Sequence, residues 1–144
     1  MLPNGITGFR DLKDPYILEQ KKRVFQRFCY SIATRYHCEI LSFNFDLTSK
    51  NFYSVEIKTE YGRLYFLENA CYPWIAFAKR LDFTRIEFIE SPFDIIDTNV
   101  NILTLPELEQ SWHDIVGELS NIELEQIKYW QPNTVGDIIF NFWD

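Results

Sequence analysis

The chain has 144 residues, 47% hydrophobic and 24% charged, with a formal net charge of −7. This is the composition of a folded globular protein and not of a disordered one, and it suits a single globular domain over residues 1–144 with room for a real core. The charge is lopsided: residues 1–80 carry twelve Lys/Arg against eight Asp/Glu, and residues 81–144 carry two against thirteen. An acidic half repels phosphate and argues against nucleic acid as a direct ligand.

No stretch approaches the roughly 20 apolar residues needed to span a bilayer, and "ACYPWIAFA" (Ala70–Ala78) is followed at once by Lys79 and Arg80. "MLPNGITGFRDLKDP" lacks the basic and apolar regions of a signal peptide, so no membrane association and a cytoplasmic location are expected. Three cysteines, Cys29, Cys38 and Cys71, form neither a paired framework nor a CxxC site, and buried free thiols are expected.

In chain order, "NGITG" (Asn4–Gly8) gives an irregular lead-in. Asp14-Pro15 then supplies a cap and a first helical residue. Leu18, Phe25, Phe28, Ile32 and Tyr36 follow at spacings of seven, three, four and four, which predicts a helix to about Tyr36. The period next changes to two. "EILSFNFDL" and "FYSVEIK" alternate apolar and polar residues, and "RLYFLE" follows the tight "EYG" turn. These three are expected to pair as an antiparallel meander. "YPWIAFA" is open between strand and short helix, because Pro73 removes a ladder donor. "TRIEFIE" and "NVNILT" predict two more short strands.

Thr104–Glu107 has the spacing of a capping box, and Leu105, Leu108, Trp112, Ile115 and Leu119 then predict one amphipathic helix. A second box, Ser120–Glu123, opens a short helix with Leu124 and Ile127 that Pro132 ends. Asn133 or Thr134 can cap a last helix through Ile138, Ile139 and Phe142, although Gly136 leaves a strand open. The sum is an α+β domain: an N-terminal helix, a mostly antiparallel sheet of about five strands, and C-terminal helices packed on it.

The chemistry-bearing residues form no catalytic set. His37 and Cys38 are adjacent, so on an extended segment they point to opposite faces. His113 sits beside Trp112 on an acidic stretch, and no HExxH, P-loop, GxGxxG or GxSxG motif is present. Glu90, Asp94 and Asp97 lack the ligand count and glycine of a calcium loop, so no metal or other cofactor is expected. The basic run Lys21–Arg27 falls on the polar face of the first helix.

"YPWIAFA", "FIESP", "LPELEQ" and above all "IKYWQPNTVGDIIFNFWD" resemble a family of small acidic bacterial immunity-type proteins of polymorphic toxin systems. The resemblance implies a non-catalytic cytosolic protein that neutralises a cognate toxin, often a basic nuclease, by covering its functional surface. It supplies no catalytic residues. On that expectation Glu107, Glu109, Asp114, Glu118, Glu123 and Asp137 are the candidate contacts with a basic toxin domain, and Trp130 is the aromatic anchor. Trp112, on the apolar face, is assigned to the core. Two alternatives stay open: a small enzyme using a carboxylate or Cys71 in an aromatic-lined pocket, and a regulatory or scaffold module that self-associates through aromatics.

Overall fold

The computed structural model of the chain describes residues 1–9, 15–82 and 85–143, with side chains of the first helix from Glu19 onward. The expected cap Asp14 and the apolar side chain of Leu18 lie outside the described residues. Helix α1 spans Pro15–Arg35. It buries Phe25, Cys29 and Ile32, which recur at helical spacing on one face. It stops where His37 adopts φ 56 and the Cys38 N–H donates to the Ala33 carbonyl at 2.8 Å, a left-handed C-terminal closure.

Five strands follow as an antiparallel meander in sequence order: β1 Glu39–Asn44, β2 Phe52–Thr59, β3 Gly62–Asn69, β4 Trp74–Leu81 and β5 Ile86–Ile89. The β2–β3 hairpin closes at Thr59↔Gly62, and Gly62 sits at φ +113, where a side chain would be strained. A sixth strand, β6 Asn101–Ile102, pairs in parallel with the start of β4 (Trp74↔Asn101, Ile75↔Ile102) and continues the edge that β5 begins. Three short helices complete the order: α2 Leu105–Glu109, α3 Asn121–Trp130 and α4 Val135–Ile139. This is the expected α+β arrangement.

The sheet is covered on both faces. Tyr53, Val55, Ile57, Phe66, Ile75 and Phe77 turn toward α1, and Phe25, Cys29 and Ile32 fill that layer. Phe52, Leu67, Ala76 and Ala78 turn the other way, onto Leu108, Ile127, Val135, Ile138, Ile139 and Phe140. Burial on both faces explains why Trp74–Ala78 shows no alternation of apolar and polar residues although it is a central strand. Pro73 lies just before β4, outside the ladder.

The helix expected over residues 105–119 is not formed. α2 has the capping box on Thr104 and Glu107 but ends at Glu109, because Gln110 turns extended at ψ 145 and its carbonyl accepts the Val135 N–H at 2.9 Å. Residues 111–119 proceed as turns, with Ile115 N–H donating to the Trp112 carbonyl and Leu119 N–H to the Val116 carbonyl. The Ile115 carbonyl accepts the Leu2 N–H at 2.9 Å, which docks the amino-terminal segment there. Tertiary pairing has taken the carbonyls that a longer helix needs.

The closing segment is helical through Ile139, with Thr134 as its cap and Asp137 completing the box. Gly136 is required by proximity: a Cβ there would lie 2.8 Å from Phe88 Cε2 and 3.1 Å from the Leu108 carbonyl oxygen. The amino-terminal turns and this segment meet at three buried asparagines. Asn51 Nδ2 and Asn69 Nδ2 both donate to the Ile6 and Ile139 carbonyls, at 2.8 to 3.0 Å. Asn51 Oδ1 accepts from the Asn141 N–H at 2.8 Å, and Asn141 Nδ2 donates to the Thr7 and Ile138 carbonyls. Asn51→Ala is expected to lower the unfolding free energy by about 2 kcal/mol, because it leaves the buried Asn141 N–H unmet and takes one of two donors from each of the Ile6 and Ile139 carbonyls. Urea unfolding measures the loss, and a loss within about 0.5 kcal/mol, the ordinary range of a surface substitution, would contradict this account of the network.

Candidate functional site

The acidic C-terminal third divides into carboxylates that hold the fold together and carboxylates that face solvent. Glu107 accepts the Thr104 N–H at 2.9 Å, and Asp137 accepts the Asn133 and Thr134 N–H groups at 3.2 Å, so both charges sit on helix N-termini. Glu107 is exposed and Asp137 half-buried. Glu109, Asp114 and Glu118 are exposed at the end of α2 and in the turns after it. Glu107 and Glu109 lie on α2 and Asp137 on α4, two helices that pack on each other.

Glu123 departs from expectation. It is fully buried, at 0% exposure, so it cannot be a surface contact. Its Oε1 accepts the Gly5 N–H at 2.8 Å and its Oε2 accepts the Thr7 hydroxyl at 2.6 Å and the Thr7 N–H at 3.1 Å. The Ser120 N–H and hydroxyl complete the set at 3.2 Å. Burial alone would raise the pKa of this carboxyl, but the bonds donated by Thr7, Gly5 and Ser120 outweigh it and hold the pKa below the ordinary value. The correction has a clear cause: the capping-box geometry turns Glu123 inward, and the amino-terminal turns close over it.

Trp130 is 39% exposed at the end of α3, its indole N–H on Gln126 Oε1 at 3.0 Å. It stacks parallel to Trp143, with planes 2° apart and centroids 6.4 Å apart, and Tyr129 packs edge-on against it at 5.2 Å. Phe9 adjoins Trp143 at 6.4 Å. Tyr129, at 76% exposure, and Ile122, at 49%, extend this ridge along one flank of α3. The sequence reading overlooked both; their spacing of seven, off the buried Glu123/Ile127 stripe, was the available signal. Trp112 is half-buried against the core, with its indole N–H on the Pro132 carbonyl at 2.7 Å.

The other candidates are accounted for by structure. His37 is the left-handed closing residue of α1, and Cys38 Sγ donates to the Tyr36 carbonyl, with burial raising the thiol pKa. Burial also raises that of Cys29. Glu90 accepts the Leu105 N–H at the start of α2. No group of three or more His, Cys, Asp or Glu able to hold a metal ion occurs among the described residues. Lys21 turns inward to the Ala70 and Cys71 carbonyls, at 3.3 and 2.9 Å, and Lys22 lies 4.7 Å over the Phe45 ring, so the basic run is partly consumed by packing.

One perturbed acid lies beneath α1. Burial pushes Glu68 up to about 8, a shift that the nearby Lys21 reduces but does not cancel. Its cross-strand partner Tyr53 is pushed up to about 12, chiefly by burial and then by Glu68. Because the folded pKa of Glu68 lies above the unfolded value near 4.3, its contribution is most favourable at low pH and is lost as pH rises toward 8. Glu68→Gln is therefore expected to stabilise the protein at pH 7 by about 1–3 kcal/mol, with the gain growing from pH ~4.3 upward. Urea unfolding across that range checks it, and a destabilised variant at pH 7 would contradict it.

The architecture defines an α+β domain in which a five-stranded antiparallel meander, with one short parallel addition, lies between an N-terminal helix and a layer of three short C-terminal helices. The chain matches no family model, no curated protein and no solved structure. No helix among the described residues is long and apolar enough to cross a membrane.

Proposed function

We propose that this chain is a non-catalytic cytosolic binding protein that docks on a basic surface of a partner protein, as an immunity-type inhibitor docks on a toxin domain. The observation that carries the reading is the pairing of an exposed aromatic ridge, Trp130 and Tyr129, with the solvent-facing carboxylates Glu107, Glu109, Asp114 and Glu118 on one acidic third of the chain. Aromatic anchors within a charged surround are the usual make-up of a hot spot, and a field of one sign speeds encounter with its opposite. The capping boxes and the closed polar network supply the rigid support that inhibition by occlusion needs.

Co-expression with the product of the adjacent upstream gene tests the reading. Rescue from that product's toxicity, with formation of a complex, is expected. A harmless product, or one that this chain neither binds nor neutralises, sinks the proposal. Within the complex, Trp130→Ala is expected to weaken binding by about 30-fold or more, the scale of a hot-spot truncation. Glu109→Lys with Glu118→Lys is expected to slow association and flatten its salt dependence. The lysine pair should leave the melting temperature close to wild type, because both glutamates face solvent, and Trp130→Ala should keep a cooperative melt, because Trp130 lies outside the buried core.

A second reading, a small enzyme, draws on Glu68, whose raised pKa suits proton transfer near neutrality. Cys71 is half-buried three residues after it, in the bend that follows β3, and its carbonyl accepts from the Lys21 ammonium at 2.9 Å. Rapid labelling of Glu68 by a water-soluble carbodiimide at pH 7 would favour this reading. Resistance to labelling in the folded protein would dismiss it.

A further inference from the structure

The C-terminal helices cover only part of the second sheet face. Beyond Phe142 the floor of the sheet is open toward the β1 edge, and a groove of 400 Å³ lies there. That volume is within the roughly 300–1,000 Å³ range of small-molecule sites. Its floor is set by strand register. Ser42, Glu56 and Tyr65 form one cross-strand row over β1, β2 and β3, and Asn44 and Ser54 form the next. Two inter-strand spacings make that row about 10 Å across. Leu81 and Phe142 supply apolar wall, and the segment carrying Asp46 and Lys50 closes one side.

The state of the polar groups limits what can fill it. Each charge in the groove is already engaged. Glu56 Oε1 accepts from Arg63 at 3.1 Å, and Asp46 Oδ1 accepts from the Thr48 N–H and hydroxyl at 2.9 and 2.8 Å. Asp82 Oδ1 accepts the Arg85 N–H at 2.9 Å. Lys50 Nζ donates to Asn44 Oδ1 at 3.0 Å and to the Asp46 carbonyl. The hydroxyls of Ser42, Ser54 and Tyr65 have no hydrogen-bond partner among the described residues. Ser54 as a residue is 5% exposed, and it shares with Phe52 and Glu56 the face of β2 that lines the groove, so its hydroxyl keeps what solvent contact it has on the groove side.

A hydroxyl both donates and accepts, so three of them across one floor match a ligand that carries hydroxyls of its own. An anion would meet three carboxylates, and a cation would find those carboxylates committed and an ammonium beside them. We infer that this groove binds a small neutral polyhydroxylated ligand of mono- or disaccharide size. The ring hydroxyls bond to Ser42, Ser54 and Tyr65, and the apolar ring face rests on Phe142 and Leu81. The site lies on the sheet and is separate from the α3 aromatic ridge, so its fate does not depend on the docking reading above.

Saturation-transfer and amide chemical-shift NMR with methyl glucoside, methyl mannoside, N-acetylglucosamine and maltose at millimolar concentration test the inference. At least one sugar should show transfer and shift the amides of residues 42–44, 54–56 and 65. Tyr65→Phe and Ser54→Ala should each weaken it about 3- to 10-fold, the effect of losing one hydrogen bond, with unchanged melting. Ser42→Ala provides a variant at an exposed position that cannot undermine the core. Absence of transfer from all four sugars overturns the inference. So does transfer that is undiminished in the three variants, or an arginine-rich peptide that shifts the groove amides where the sugars do not.

Discussion

A chain ending at Thr134 is expected to show no cooperative thermal transition and to bind hydrophobic dyes. The ten residues removed include Val135, Ile138, Ile139 and Phe140, all at most 4% exposed. Full burial of such side chains is worth about 1.5–3 kcal/mol each, so their loss alone matches most of the roughly 5–15 kcal/mol by which a domain is stable. The deletion also removes the Ile139 carbonyl from Asn51 and Asn69 and the Asn141 N–H from Asn51, so each buried amide loses part of its hydrogen bonding. Phe52 and Phe88 lose the Phe140 ring that packs 5.8 Å from each. Calorimetry on the truncated chain decides, with removal of only Trp143 and Asp144 as the comparison. A sharp, reversible melt of the ten-residue truncation would show that the segment is peripheral to the fold.

Much of this frame could be read from residue spacing. The stripe through Phe25 and Ile32 and the alternation in β1 to β3 are dictated by one-sided burial, and periodicity reports burial directly. β4 was ambiguous for the same reason inverted, since Ile75 to Ala78 is buried on both faces. The residues from Leu105 to Leu119 kept helical spacing yet formed α2 and a series of turns, because Gln110 and Ile115 gave their carbonyls to Val135 and Leu2. No local signal carries such a bond. The asparagines are the extreme case: Asn51, Asn69 and Asn141 sit in polar, turn-like sequence and only the fold makes them a hub. At the candidate site, the acids were visible as a charge imbalance, but which of them were free was not. Three of the six belonged to capping boxes, and Glu123 went further by binding residues more than a hundred positions away. The exposed ridge of Tyr129 and Trp130 was hidden by the same ambiguity, because composition does not reveal which aromatics a fold leaves outside.

Glu123→Ala is expected to destabilise the protein by about 3–5 kcal/mol, and Glu123→Gln by about 2–4 kcal/mol. The carboxylate has no exposure and accepts from Gly5, Thr7 and Ser120, so truncation leaves several buried donors unmet. Glutamine keeps the volume but turns an amide NH₂ toward the Gly5 and Ser120 N–H groups or toward the Thr7 N–H, which can only donate. The pH dependence separates this role from simple packing. The folded pKa lies below the unfolded value near 4.3, so the stabilisation is complete above about pH 5 and is lost as pH falls through the folded value. The gap between wild type and Glu123→Gln, from urea unfolding, should therefore be widest near neutrality and close in acid. This trend is opposite in sign to that of Glu68, whose stabilising contribution is lost as pH rises. Hydrogen exchange locates the damage: the Leu2, Gly5 and Thr7 amides, bonded to Ile115 and Glu123, should lose protection before the sheet does. A gap that stays constant from neutrality into acid would assign Glu123 to volume alone, and the amino-terminal turns would then be held by Leu2 and Ile6.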